Sequence, residues 1–391
     1  MPQDLPAAAR VALLRALRRF RLPRLPLVRH LLLAVAGGVL LFVITLELSP
    51  FDNYELGQIA AYAIAIAGLS LLTGVNGQIS LGHGAFMAVG AYTLAELQAH
   101  QSVNFVLQLL AATAVAAAAG LVIAVPATRL QGPYLAGMTL LLALALPSLS
   151  DRYSSFFGGD QGLPATAPGA PGSLDPQRWL AWLQILAALV VLVLLANLLD
   201  SRFGRAFRAV RDDEVAAATL GIHVARTKVT AFMVSAACAG LAGALVALST
   251  GVVSTGEFPL SLSIFLLAGM VIGGAGTLMG AWWGAIAVVY LPNQWSQSLA
   301  GAFHLGHLVS ANLAVIIFGA ALVLVMLLAP AGIQGALRWA AGRLAAWAVA
   351  GRGGGNVSKQ ERQDGHDGAV PALGDGGRPD PIRSTGGRGG A

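Results

Sequence analysis

Long apolar stretches separated by shorter polar ones run from residue 30 to residue 329 of this chain. About twenty apolar residues cross a hydrocarbon core, and fewer suffice where neighbouring protein shelters the ends. On that basis the pattern predicts ten crossings, at 30–46, 57–73, 80–97, 105–126, 134–149, 179–199, 229–250, 261–279, 281–297 and 310–329. Glycine or proline interrupts the third, eighth and ninth, at GVNGQISLGHG (74–84), GGAGTLMG (273–280) and Pro292. Irregular backbone at membrane depth is tolerated only where protein or a water-filled cavity receives the freed polar groups. Broken or re-entrant segments are therefore expected at both glycine clusters, within an all-α, polytopic membrane protein.

Loop charge sets the orientation, because arginine and lysine collect on the cytoplasmic side. The arginine-rich N-terminus, Arg129, the 200–228 segment and Arg338 with Arg343 fall on one side. Glu47, Asp52, Glu55, Glu96, Asp151, Asp160, Asp175 and Glu257 fall on the other. Both termini are thus expected in the cytoplasm. Residues 1–29 carry seven arginines among leucines; Pro23 and Pro26 interrupt them and no small-residue cleavage pattern follows. They are expected to be retained, with a short interfacial helix around Leu13, Leu14 and Leu17. Residues 30–335 form the predicted transmembrane domain. Residues 336–391 form a cytoplasmic tail, expected to be disordered after about 351, where glycine and charge replace apolar residues.

Composition agrees: 56% of the residues are hydrophobic, only 11% are charged, and the mean hydropathy is +0.72, far outside the range of soluble domains. The net charge of +6 needs no nucleic-acid partner, since its arginines flank predicted crossings. The single cysteine, Cys238, can form no internal disulfide, and no residues show metal-site spacing.

The main exception to the apolar pattern is SRFGRAFRAVRDDEVAAATLGIHVARTK, where Arg202, Arg205, Arg208, Arg211, Arg226 and Lys228 mix with Asp212, Asp213 and Glu214. A connector between membrane helices is normally a handful of residues, so this long, helix-favouring loop is expected to dock onto a cytoplasmic partner. Asp212 and Asp213 are N-cap candidates and Gly221 can close a helix in the left-handed region, which predicts an exposed helix over 213–220. Ala216, Ala217 and Ala218 would let a partner groove approach, with Arg205, Arg208 and Arg211 orienting it. The competing reading is an arginine belt anchored to anionic membrane lipid.

Two absences bound the energy source. A P-loop needs lysine followed by Ser or Thr, but the lysines are Lys228, followed by Val229, and Lys359, followed by Gln360. Ion-coupled carriers usually keep a carboxylate or a broken-helix cation site near the midplane, whereas every Asp and Glu here falls at a predicted loop, terminus or helix end. The breaks offer Gln78, Ser80, Gly82 and His83 at the first and Gly273, Gly274 and Gly276 at the second as candidates to line a translocation pathway. The alternative is that Gln78 and His83 satisfy backbone groups and the glycines permit tight packing. Ser235, Ala239 and Gly243 repeat every four residues and are assigned to helix packing.

Four ordered segments carry a family resemblance: GLSLLTGVNGQISLGHGAFMAVGAYTLA (68–95), FGRAFRAVRDDEVAAATLGIHVARTKVTAFMVSAACAGLAGAL (203–245), VIGGAGTLMGAWWGA (271–285) and VIIFGAALVLVMLLAPAGI (315–333). Together they resemble the inner-membrane permeases of bacterial branched-chain amino acid ABC importers, in particular the longer LivM-type subunit. Glu214, Ala216, Ala217 and Gly221 loosely match the coupling motif of such permeases. The resemblance implies a multi-pass inner-membrane subunit that catalyses no chemistry and binds no cofactor, with ATP used by partner subunits. The implied partners are a LivH-like second permease, two cytoplasmic ATPase subunits and a periplasmic binding protein. Similar proteins carry urea or short amides, and a stand-alone facilitator is a further reading. One departure is that TRLQGPYLAGMTLLLALALP (128–147) lacks the acidic residue that members commonly place there.

Overall fold

The computed structural model describes residues 26–100, 103–130, 132–290 and, with gaps, 319–353. The helices are α1 (Pro26–Glu47), α2 (Pro50–Leu69), α3 (His83–His100), α4 (Phe105–Ala127), α5 (Pro133–Arg152) and α6 (Pro176–Asp200). They continue as α7 (Arg202–Asp212), α8 (Glu214–Thr219), α9 (Val224–Thr250), α10 (Leu260–Gly273), α11 (Leu278–Tyr290) and α12 (Gly332–Gly353). The helix starts follow local chemistry. Ser49 precedes Pro50 and accepts from the Asp52 N–H, Asn104 accepts from the Val106 N–H, and Asp175 accepts from those of Gln177 and Arg178.

Among the described residues, five helices are long and apolar enough to cross a membrane: α1, α2 with its continuation to Val75, α4, α6 and α9. The apolar helices α5, α10 and α11 are shorter. Each of the first nine predicted crossings contains a helix, but the boundaries move. α2 starts at Pro50, so Asp52 and Glu55, read as loop from the sequence, lie inside it, and Glu55 is only 2% exposed. The eighth helix region stops at Gly273, because Gly274 and Gly276 take φ of +114° and +79°, which side chains with a Cβ rarely adopt. Most of the tenth crossing, Pro292 and residues 1–25 of the N-terminal arginine arm lie outside the described residues, as does the tail after Gly353, while Arg29 lies in α1. The tail begins with helix, which its composition did not announce.

By contact the described residues form two units, divided between Leu337 and Arg338. Within the first, α9 is the central helix and packs along α4, α3 and α2. Lipid tails are as apolar as leucine, so close backbone approach rather than water exclusion drives such packing. A Cβ on Gly90 would overlap the Gly240 carbonyl, and one on Gly243 would overlap that of Met87. Ser235 and Ala239, the other members of that four-residue repeat, are fully buried. At the far end of α9, Leu163–Pro164 pairs antiparallel with Val252–Val253. Gln98 clasps the Thr166 backbone there, accepting from its N–H at 2.8 Å and donating to its carbonyl at 3.0 Å. In the second unit, the Arg343 guanidinium lies over the Trp339 ring at 4.7 Å.

Candidate functional site

The charged segment folds into two short helices. Ser201 caps α7, accepting from the Phe203 N–H at 3.1 Å. Gly204, Phe207 and Val210 form its buried stripe at three-residue spacing, leaving Arg202, Arg205, Arg208 and Arg211 on exposed positions. Arg208 donates to the Leu199 carbonyl at 3.2 Å, a cation at the C-terminal end of α6 where the helix dipole favours it. Arg211 donates to the Gly74 carbonyl, so the charged segment is bonded to the first helix break.

Of the two cap candidates, Asp213 caps α8, accepting from the Val215 and Ala216 N–H groups at 2.8 and 3.0 Å; Asp212 ends α7. Gly221 has φ +82°. Its N–H bonds the Ala218 carbonyl at 3.0 Å while the Ile222 N–H bonds that of Ala217 at 3.1 Å, the paired bonds of a Schellman cap. Ala217 is buried at 2% exposure, so it seats the helix on its own protein rather than facing outward. Val215 and Leu220, which sequence reasoning missed, are 75% and 79% exposed beside exposed Ala216 and Ala218. An apolar ridge on an otherwise charged surface is the feature a groove in another protein can bury.

Beneath α8, Lys228 is 6% exposed and its Nζ lies 2.6 Å from Glu214 Oε1. Gln78 donates to the Lys228 carbonyl at 3.1 Å and also to the Asn76 side chain. A cleft of about 80 Å³ is lined here by Asn76, Gln78, Arg211, Glu214 and Lys228. Lysine is scarce in this chain, and one so close to an apolar helix start was the available sequence signal for this cluster.

The break itself is a π-helical turn, Ser70–Val75, followed by Gly77 at φ +81°; such turns are frequent at functional sites. It meets the second break directly. The Gly276 N–H donates to Ser70 Oγ at 2.9 Å, and a Cβ on Gly74 would overlap the Gly276 backbone. Gly273 packs as closely against Gly280, while Gly82 lies against Thr139, whose hydroxyl accepts from the Leu81 N–H at 2.9 Å. Ser80 is buried and accepts from the Gly82 N–H at 3.4 Å. His83, 1% exposed, sits with Nε2 3.0 Å from Ser235 Oγ. The Ser235 hydroxyl donates its one proton to the Gly68 carbonyl at 2.7 Å, which assigns the donating hydrogen of the other contact to His83 Nε2. Gln78 and His83 thus tie α2, α3 and α9 together, and the glycines let backbones meet.

Comparison with known proteins places the chain in a family. A family model described as the permease component of branched-chain amino acid transport systems matches residues 54–326. The chain belongs to that family. Its members are transporter permeases rather than enzymes. Over 297 residues the chain is 31% identical to the high-affinity branched-chain amino acid transport system permease protein LivM of Escherichia coli K12, spanning 70% of this chain and 67% of that one. It is 32% identical over 139 residues to the probable branched-chain amino acid transport permease protein LivH of Methanocaldococcus jannaschii, spanning 35% and 42% of the two chains. Over 121 residues it is 36% identical to the autoinducer 2 import system permease protein LsrC of Klebsiella pneumoniae, 27% of this chain and 35% of that one. No solved structure matches.

Proposed function

We propose that this chain is a permease subunit of an ATP-binding cassette importer that moves branched-chain or related hydrophobic amino acids across the bacterial inner membrane into the cytoplasm. Ten crossings, both termini cytoplasmic, pair with a LivH-like second permease, two ATPase subunits that hydrolyse ATP and a periplasmic binding protein. The chain itself binds no cofactor. The observation that carries this reading is α8. A six-residue helix is too short to persist alone, yet Asp213 and Gly221 cap both its ends, and it presents Val215 and Leu220 outward from a seat bonded to the first break. In this reading the ATPase grips α8 while Arg205, Arg208, Arg211, Asp212 and Asp213 orient it. Motion passes through Glu214, Lys228 and Arg211 to the segment holding Gln78, Ser80, Gly82 and His83. From there it reaches Gly273, Gly274 and Gly276, so that the two breaks shift together and open the pathway.

The test is reconstitution with the neighbouring permease and ATPase genes and the binding protein, measuring leucine and urea uptake with and without ATP. Leucine uptake that requires ATP is the expected result. ATP-dependent uptake of urea alone changes the cargo, and uptake without ATP overturns the docking role of α8. Deleting 213–220 is expected to abolish uptake while the subunit stays inserted; transport by a stably assembled deletion variant would sink the coupling assignment.

A further inference from the structure

At the opposite end of α9 from Lys228, about 33 Å away at 1.5 Å per residue, a cavity of about 280 Å³ opens between α2, α9, α10 and α11. That volume is near the lower end for small-molecule pockets, roughly 300–1,000 Å³. One wall is polar, formed by Tyr54, Glu55, Gln58, Tyr62, Thr250 and Glu257; the other is formed by Leu262, Phe265, Val288 and Val289. Glu55 and Gln58 are 2% and 7% exposed, although both sit on a helix within a membrane domain. Carboxylates there are costly and mark functional sites by default. Gln58 donates to the Tyr54 hydroxyl at 3.1 Å, while its Oε1, buried in the cavity wall, has no hydrogen-bond partner among the described residues. A buried acceptor without a donor costs about 1–3 kcal/mol, so the site is built to receive a donor.

The geometry points to a binding site for the ammonium end of the transported amino acid. Two carboxylates, an amide oxygen and two phenol rings suit a primary ammonium, which offers three N–H donors and is attracted to aromatic faces. The phenol hydroxyls can donate to the substrate carboxylate, and the Leu262, Phe265 and Val288 wall accepts an aliphatic side chain. Among the described residues neither lysine nor arginine lines the cavity, which disfavours an anion. The described residues hold no group of three or more metal-ligating side chains, so an organic cation fits better than a metal ion. The identity of the cargo rests on the importer reading above; the ammonium chemistry does not.

The test uses the assembled complex in nanodiscs. Binding of radiolabelled 3-methylbutylamine is measured by scintillation proximity, with 4-methylpentanoate as the competitor lacking nitrogen, and ATP-driven leucine uptake is measured on the same preparation. The expected result is amine binding that the acid does not displace and that weakens at least about tenfold, or about 1.4 kcal/mol, in Glu257→Gln. Glu96→Gln, whose carboxylate pairs with His100 outside the cavity, should bind as wild type. Glu257 is exposed, so its variant should fold even where Glu55→Gln does not. Absent amine binding, binding unchanged in Glu257→Gln, or equal competition by the acid overturns the site. Glu257-dependent amine binding in a complex that fails to import leucine would keep the site and overturn the importer reading.

Discussion

Replacing Gly221 separates backbone conformation from every other contribution to α8. A Cβ on this residue meets nothing within 4 Å among the described residues, and φ is +82°, so a substitution adds no clash with them and its cost is conformational. Holding a non-glycine residue in the left-handed region costs roughly 1–2 kcal/mol, more for a β-branched side chain and less for asparagine. The two cap bonds, at 3.0 and 3.1 Å, depend on that conformation. At about 1.4 kcal/mol per factor of ten, the open form of α8 should become roughly 5–30 times more populated in Gly221→Val, less so in Gly221→Ala, and least in Gly221→Asn. Hydrogen exchange over residues 214–222 reads the opening, and leucine uptake per ATP hydrolysed by the reconstituted importer reads the coupling. Protection from exchange and uptake per ATP should both fall in the order Asn, Ala, Val while the amount of inserted subunit stays constant. An asparagine variant as damaged as the valine one, or a valine variant with wild-type protection, refutes the left-handed cap as the cause.

Other substitutions probe the remaining contacts. The Glu214–Lys228 pair should respond asymmetrically. Lys228→Met leaves a carboxylate that can reach water and should cost under about 1 kcal/mol, whereas Glu214→Gln strands a buried ammonium and should cost about 1.5–3 kcal/mol, with the double variant recovering. Thermal unfolding followed by a thiol-reactive dye suits this comparison, because the chain's single cysteine, Cys238, is buried at 7% exposure; equal losses in the two single variants would contradict the burial argument. Gly90→Val should prevent stable packing against Gly240, at a cost of about 3 kcal/mol or more, while Gly137→Ala, with open space around it, should be neutral or slightly stabilising; size-exclusion profiles and melting curves decide between these. Ser235→Ala removes both the donor to Gly68 and the partner of His83 and should lower stability by about 1–3 kcal/mol together with uptake per ATP. An unchanged ratio would take His83 out of the transport cycle.

The sequence by itself determined the class of molecule. Twenty-residue apolar runs have one stable solution in lipid, since every backbone polar group must be bonded within its own helix. Local rules sufficed for α8 as well: Asp213 and Gly221 act on neighbours within a few residues, so the cap and its closing turn were legible before any fold was known. The direction of Ala217 was not, because burial depends on which side of α8 meets the rest of the protein. Gln78 and His83 show the same limit. Their polarity at a broken helix marked them out, but only the packing of α9 against α2 and α3 supplied their partners, the Lys228 carbonyl and Ser235, some 150 residues away in the chain. Glu55 was assigned to a loop on charge alone; a helix start at Pro50 and the neighbouring α10 and α11 turned it into a cavity wall. Long-range juxtaposition of this kind, including the contact between Gly74 and Gly276, is decided by how whole helices fit together, and no periodicity within one segment encodes which distant segment will fill its grooves.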